Sequence, residues 1–344
     1  MLNILNPIID MHTHCAPRLV GDPFGVAAMM RGTPVGKNMV TNFRGMPTVA
    51  YGDMLDFELQ EKVCAVAGIT GRIISNPFAA ESISWASKLP AGDIVKSVND
   101  EIAQTVARSS KNWGLGTLNP LDASQVAEGE RCMGALGFRG IQICTSWHGR
   151  FIDGDDSFAF WEWAQDRRVP VFIHPPRVPI GHEQQMDQYK LDELVGRPFD
   201  TTMAFARLIL SGLFDRYPRL KLVIAHMGGG LLPCIGRLDF GWRLGCEGLP
   251  ERAVIRCKEL PSSYLRRFSV DTMGFWAPHV REAVEVFGPD RVMFGTDYGP
   301  VPLDPTEHIN IVNALPLSPT DKEKILWRNA DVFFDLRVAD QAVF

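Results

Sequence analysis

Histidine or aspartate closes an apolar, β-like run at four well-separated places in this chain. These are IIDMHTH with His12 and His14, VPVFIHP with His174, LKLVIAHMGGG with His226, and RVMFGTDY with Asp297. Scattered histidines are common, but histidines that repeatedly end a hydrophobic strand are not. In a parallel barrel the C-terminal ends of all strands converge on one face, so these five side chains can meet at one point. The pattern therefore predicts a barrel and, at its mouth, a metal site.

Eight short runs rich in Val, Ile or Phe read as strands, at 8–12, 69–75, 113–118, 138–143, 170–174, 221–227, 267–271 and 291–296. Several follow helical stretches with apolar residues at 3–4 spacing, such as 98–109 and 158–166. Strands alternating with helices imply a parallel sheet, and strands covered on both faces read as nearly continuous apolar runs. Eight such units predict an α/β fold of the (β/α)8 type, the TIM barrel, in one domain over residues 1–344. The excess length is a Gly-, Pro- and Met-rich insertion after strand 1, at about 15–55, placed over the barrel mouth. The competing architecture is an open doubly wound sheet, but the chain has no GxGxxG and no P-loop.

Composition removes several classes of function. With 46% apolar and 22% charged residues the chain has ample core, and a net charge of −5 leaves no basic footprint for nucleic acid. The longest apolar runs are strand-sized, too short to span a membrane. MLNILNPIIDMH lacks the positive start of a secretory signal and runs directly into the first histidine motif. Seven cysteines, an odd number without CxxC pairs, read as reduced thiols of a cytoplasmic protein.

His12 and His14 lie two apart, so on a strand both face one side, roughly 6–7 Å apart at Cα. Alone, an HxH is often only a polar strand end. His174, followed by Pro175 and Pro176, suits a capped strand end. His226 opens a Gly triplet and reads alone as a turn residue, and Asp297 reads alone as a cap. Separately these explanations hold; jointly they do not account for such residues at the ends of strands one, five, six and eight. Imidazoles plus a carboxylate suit one divalent ion, Zn²⁺ first and Mn²⁺ second, with an open position for water. An uncoordinated His and the Asp beside that water could move protons on and off it.

Arg18, Arg44, Arg177, Lys190 and Arg237 fall in or beside loops at the expected mouth. Each alone is a solvated charge, but together they suit a small carboxylated substrate, which arginine grips bidentately. Arg44 and Arg237 are the preferred pair. His148, His279 and His308 read as surface or packing residues, and His182 as a residue of the mouth.

With GLGTLNP, LGFRGIQI, ELVGRPFDTTMA, LFDRYPRLKLVIAHMGGG and VMFGTDYGP added to the histidine motifs, nearly the whole chain resembles the amidohydrolase superfamily. The similar branch is that of 2-amino-3-carboxymuconate-6-semialdehyde decarboxylase. The resemblance implies one Zn²⁺ held by His12, His14, His174 and Asp297, with His226 acting on bound water or substrate. It also implies a homodimer or higher homo-oligomer, in which Arg237 reaches a substrate carboxylate across the interface and an arginine near Arg44 completes the grip. Strand four ends without the lysine that dinuclear members carboxylate, so a single ion is expected. Pro176 with Arg177, and Lys190 beside Tyr189, stand where that branch has aromatic residues. The substrate expected is therefore another aromatic or ring-cleavage carboxylic acid, and the activity metal-dependent, non-oxidative decarboxylation. Hydrolysis of a lactone, amide or ester, or hydration of an unsaturated dicarboxylic acid, is the alternative. A non-catalytic metal-binding protein is a third reading, which predicts a closed coordination sphere.

Overall fold

Side chains that alternate between two buried cores sort the eight strands into a barrel with a filled interior. The computed structural model describes residues 7–15, 33–35, 38–43, 46–76, 80–81, 84, 90–183, 186 and 188–338. Its strands are β1 (Ile9–His14), β2 (Gly71–Ser75), β3 (Asn112–Thr117), β4 (Gly140–Cys144), β5 (Pro170–His174), β6 (Lys221–Ile224), β7 (Ser269–Asp271) and β8 (Val292–Met293). They form one sheet in chain order, and the recorded pairings between neighbours are parallel. Past Met293 the chain returns to β1: Met11 N donates to Phe294 O at 3.0 Å, and Asp297 N donates to His12 O at 2.7 Å. These bonds close the barrel. All eight expected strands are present.

A helix follows each strand: α1 (Phe57–Val66), α2 (Ala91–Val106), α3 (Val126–Met133), α4 (Phe158–Asp166), α5 (Arg197–Leu210), α6 (Leu231–Leu244), α7 (Ala277–Phe287) and α8 (Pro305–Ala314). The expected helix at 158–166 has those bounds, while that at 98–109 starts earlier, after Pro90. Strand 6 stops at Ile224 rather than 227 because His226 and Met227 take left-handed backbone angles, φ +57° and +55°, which no strand accommodates. The described part of the expected insertion is a three-stranded antiparallel meander, Thr33–Val35, Asn38–Phe43 and Met46–Ala50, between β1 and α1.

Alternate residues of each strand divide two cores. Ile9, Met11, Ile73, Leu115, Phe172, Val223 and Met293 fill the barrel, closed below by Trp327, Ala330 and Phe334 near the C-terminus. Val171, Ile173, Leu222 and Ile224 face the helices instead. Phe172 is fully buried two residues before His174 and lies 4.9 Å, centroid to centroid, from the His12 ring. Phe172→Ala is expected to cost about 3–5 kcal/mol of stability, read by urea unfolding, because the close-packed interior cannot refill the space. Among the described residues no helix is long and apolar enough to cross a membrane.

Candidate active site

A register shift in β1 between Asp10 and Thr13 re-aims the strand where it leaves the barrel. Ile9 and Met11 stay in the filled interior, whereas His12 and His14 both turn toward the mouth. Their Nε2 atoms stand 3.1 Å apart. Asp297 Oδ1 lies 3.4 Å from His12 Nε2 and 3.2 Å from His14 Nε2. His174 closes β5 with its ring centroid 5.2 Å from His12 and 4.8 Å from His14. His226 completes the group, since ligand atoms of His12, His174, His226 and Asp297 all fall within 4.8 Å of one another. The five side chains picked from strand ends therefore meet.

The donor set suits a cation. Ligands bonded at roughly 2.0–2.1 Å in a tetrahedron stand about 3.3 Å apart, the spacing seen among His12, His14 and Asp297. His174 Nε2 and Asp297 Oδ1 are buried and make no hydrogen bond, an expensive arrangement unless an ion completes it. Burial pushes His14 down to about 4 and His174 well below the usual histidine value, so both present neutral imidazoles. Burial also opposes charge on His12, but the Asp297 and Asp271 carboxylates outweigh it and raise its pKa to about 10. The centre thus draws positive charge, and a divalent ion supplies it. Burial acts to raise Asp297, yet His12, His14 and His226 hold its carboxyl well below the ordinary range.

The outward nitrogens separate His226 from the other three. His12 Nδ1 donates to Asp271 Oδ2 at 2.5 Å, His14 Nδ1 pairs with Ser75 Oγ at 2.9 Å, and His174 Nδ1 donates to Pro175 O at 2.9 Å. The two acceptors, Asp271 and Pro175 O, put the proton on Nδ1, and all three contacts leave Nε2 aimed inward. His226 Nδ1 has no partner, and its Nε2 faces Asp297 Oδ2 at 3.4 Å. His226 and Asp297 both have left-handed backbone, φ +57° and +55°, the kind of strain that clusters at functional sites. Gly229 makes the turn after His226 possible: at φ +66° an added Cβ would stand 2.4 Å from Pro198 O.

Asp271 was not singled out from the sequence. Its Oδ1 accepts from Met227 N at 3.1 Å and Met273 N at 3.2 Å, while Oδ2 holds His12. It thereby ties the end of β7 to the His226 turn. Asp271→Ala is expected to weaken metal affinity about 10–100-fold, read by competition with a chelating dye.

Beside the centre opens a cavity of about 290 Å³, lined by His226, Asp297 and Arg197 and walled by Leu194, Met227, Met273 and Phe275 among others. A ring-sized, largely apolar cavity with a few convergent polar groups is the usual form of a small-molecule site. The cations chosen from the sequence lie elsewhere. Arg177 is paired with Asp192 at 2.9 Å, Lys190 is exposed near Tyr51 Oη at 3.4 Å, and Arg237 is exposed on α6. Arg18 and Arg44 fall outside the described residues. The cation that lines the cavity is Arg197, at the start of α5 within the ELVGRPFDTTMA stretch.

His279, expected at the surface or in packing, also lines the cavity, brought there by the loop before α7. His308 is buried against Phe275, their centroids 5.8 Å apart. His148 lies 2.8 Å from Ser84 Oγ, and His182 Nε2 stands 3.3 Å from Glu183.

Residues 9–336 match the amidohydrolase family. The chain is 34% identical over 256 residues to the 2-amino-3-carboxymuconate-6-semialdehyde decarboxylase of Dictyostelium discoideum, covering 73% of this chain and 69% of that one. Its fold superposes on 5-carboxyvanillate decarboxylase from Sphingomonas paucimobilis with a TM-score of 0.78 at 25% identity, covering 96% and 99% of the two chains. It superposes also on a dihydroxybenzoic acid decarboxylase from Polaromonas sp. JS666, solved with manganese and 2-nitroresorcinol, with a TM-score of 0.77 at 25% identity over 99% and 100%.

Proposed function

The chain belongs to the amidohydrolase family, and on that premise we propose that it is a metal-dependent, non-oxidative decarboxylase of an aromatic or ring-cleavage carboxylic acid. The observation that carries this reading is the pairing of a cation-seeking centre with an apolar, ring-sized cavity holding an arginine. Relatives named as decarboxylases of such acids support it.

His12, His14, His174 and Asp297 would hold the ion, with Zn²⁺ suited to the histidine-rich set and Mn²⁺ supported by the Polaromonas relative. When bound, a divalent ion supplies Lewis-acid polarisation of a carboxylate or phenolate oxygen. His226, held near Asp297 but with Nδ1 free, carries the proton: it protonates the ring carbon that bears the carboxylate. The carbon–carbon bond then breaks, its electron pair restores the ring, and CO2 leaves. Met227 is buried against the site, and Leu194 and Phe275, exposed on the single chain, would exclude water once covered, which favours loss of a charged carboxylate as a neutral gas.

The working unit we propose is a homodimer. Arg237, Phe240 and Leu244 share one face of α6, and Phe240 is 63% exposed. Phe275 and Trp276 at the cavity side are 61% and 69% exposed. A second copy covering these residues would bring Arg237 toward the neighbouring pocket, with Arg44 as a further contact to an anionic substrate. Seven free cysteines suit a reducing, cytoplasmic setting. The test is incubation with aromatic and muconate-type acids while CO2 is followed. Release from at least one acid, dependent on added metal, is expected. Water consumption on lactones without CO2 from any acid would replace decarboxylation with hydrolysis.

A further inference from the structure

We propose that Arg197 determines specificity by selecting substrates with a second acidic group besides the carboxylate that is lost. This rests on the decarboxylase reading and adds a substrate class to it. Arg197 follows a π-helical turn, Asp192–Gly196, and opens α5. Such turns are often kept at functional sites. Its backbone is held tightly: a Cβ on Gly196 would stand 2.8 Å from Met186 Sδ and 2.9 Å from Pro179 Cγ. Next to it, Pro198 O accepts from Thr202 Oγ1 at 2.7 Å, and Thr202 Oγ1 accepts from Gly230 N at 2.7 Å. The arginine and the His226 turn are therefore built as one unit.

Arg197 Nε is buried and has no hydrogen-bond partner. Among the described residues no carboxylate lies within ion-pair distance of it: Asp192 is taken by Arg177, and Asp297 and Glu193 act only at longer range. Burial lowers the pKa of Arg197, Asp297 offsets part of this, and Arg177 adds to it, yet arginine stays charged in proteins. A buried cation without a partner is costly, and one that lines a cavity is stabilised when a ligand supplies the anion. The carboxylate that is lost belongs at the histidine centre, where Asp297 already balances charge. Asp297, Glu193 and Asp192 act on Arg197 only at longer range and none is bonded to it, so its partner is a second carboxylate on the ring, which it can grip bidentately.

The test is calorimetric binding of isophthalate and benzoate to the Mn²⁺-loaded protein, which requires no turnover. Wild type is expected to bind isophthalate about 10- to 100-fold more tightly. Arg197→Met should collapse that preference, and Arg197→Lys should restore part of it. Thermal melting of Arg197→Met at or above the wild-type temperature is expected, because a partly buried charge, unpaired at Nε, has been removed. Equal affinity of wild type for the two acids, or a preference retained in Arg197→Met, would overturn the proposal. If Arg197→Met fails to fold, Arg197→Gln, which keeps the length and polarity of the side chain without its charge, carries the same comparison. Absence of CO2 release from every acid would count against the decarboxylase and leave this binding result standing on its own.

Discussion

His226→Ala is expected to lower kcat by about 10²–10⁴-fold while one equivalent of metal stays bound. The reason is the asymmetry of the four histidines. His12, His14 and His174 have their outer nitrogens fixed by Asp271, Ser75 and Pro175, and only Nε2 faces the centre. His226 has one nitrogen near Asp297 and the other without a partner. A ring that keeps one nitrogen out of the ion's coordination can take up and release a proton; a ring whose Nε2 lone pair is given to the ion cannot. Kinetics and metal analysis of the same preparation check this. Loss of metal together with activity would show that His226 is a ligand and remove it from proton transfer.

Removing the metal is expected to reduce turnover by more than about 10²-fold, with recovery on adding Mn²⁺ or Zn²⁺ back, since Lewis-acid stabilisation supplies several kcal/mol. The same treatment should lower the melting temperature. An ion that binds only the folded centre adds about 2.7 kcal/mol when present at 100 times its dissociation constant. The physical basis is the crowding of Asp297 Oδ1 by the Nε2 atoms of His12 and His14, 3.4 and 3.2 Å away, together with the carboxylate field that raises His12 to about 10. Asp297→Ala should mimic the depleted protein and resist reloading. Full activity in protein stripped of metal, shown by elemental analysis, would exclude the metal's part in the reaction.

The barrel was legible because each strand is buried on both faces, so its sequence is an apolar run that stands out between amphipathic helices. The five convergent side chains were legible because each closes such a run. What lay beyond reach depended on local backbone geometry. The register shift in β1 that aims His12 inward is not written in IDMHTH. Asp271, one of 40 acidic residues, ends a strand only three residues long and gives no signal until the His226 turn is seen to hang from it. Arg197 sits inside a stretch quoted for its likeness to a family, yet its place in the cavity depends on the π-helical turn before it. The cations preferred from the sequence were chosen by proximity to loops, which says nothing of where a long side chain finds a partner; Arg177 found Asp192.

The most direct test of a metal-dependent decarboxylase is to follow carboxyl-¹³C-labelled dihydroxybenzoate and carboxyvanillate in deuterium oxide with metal-loaded and metal-free protein. The expected result is one labelled CO2 per product, one deuteron at the carbon that lost the carboxylate, and neither without metal. Tightly bound metal with no labelled CO2 from either acid, or from the wider panel, would contradict the account.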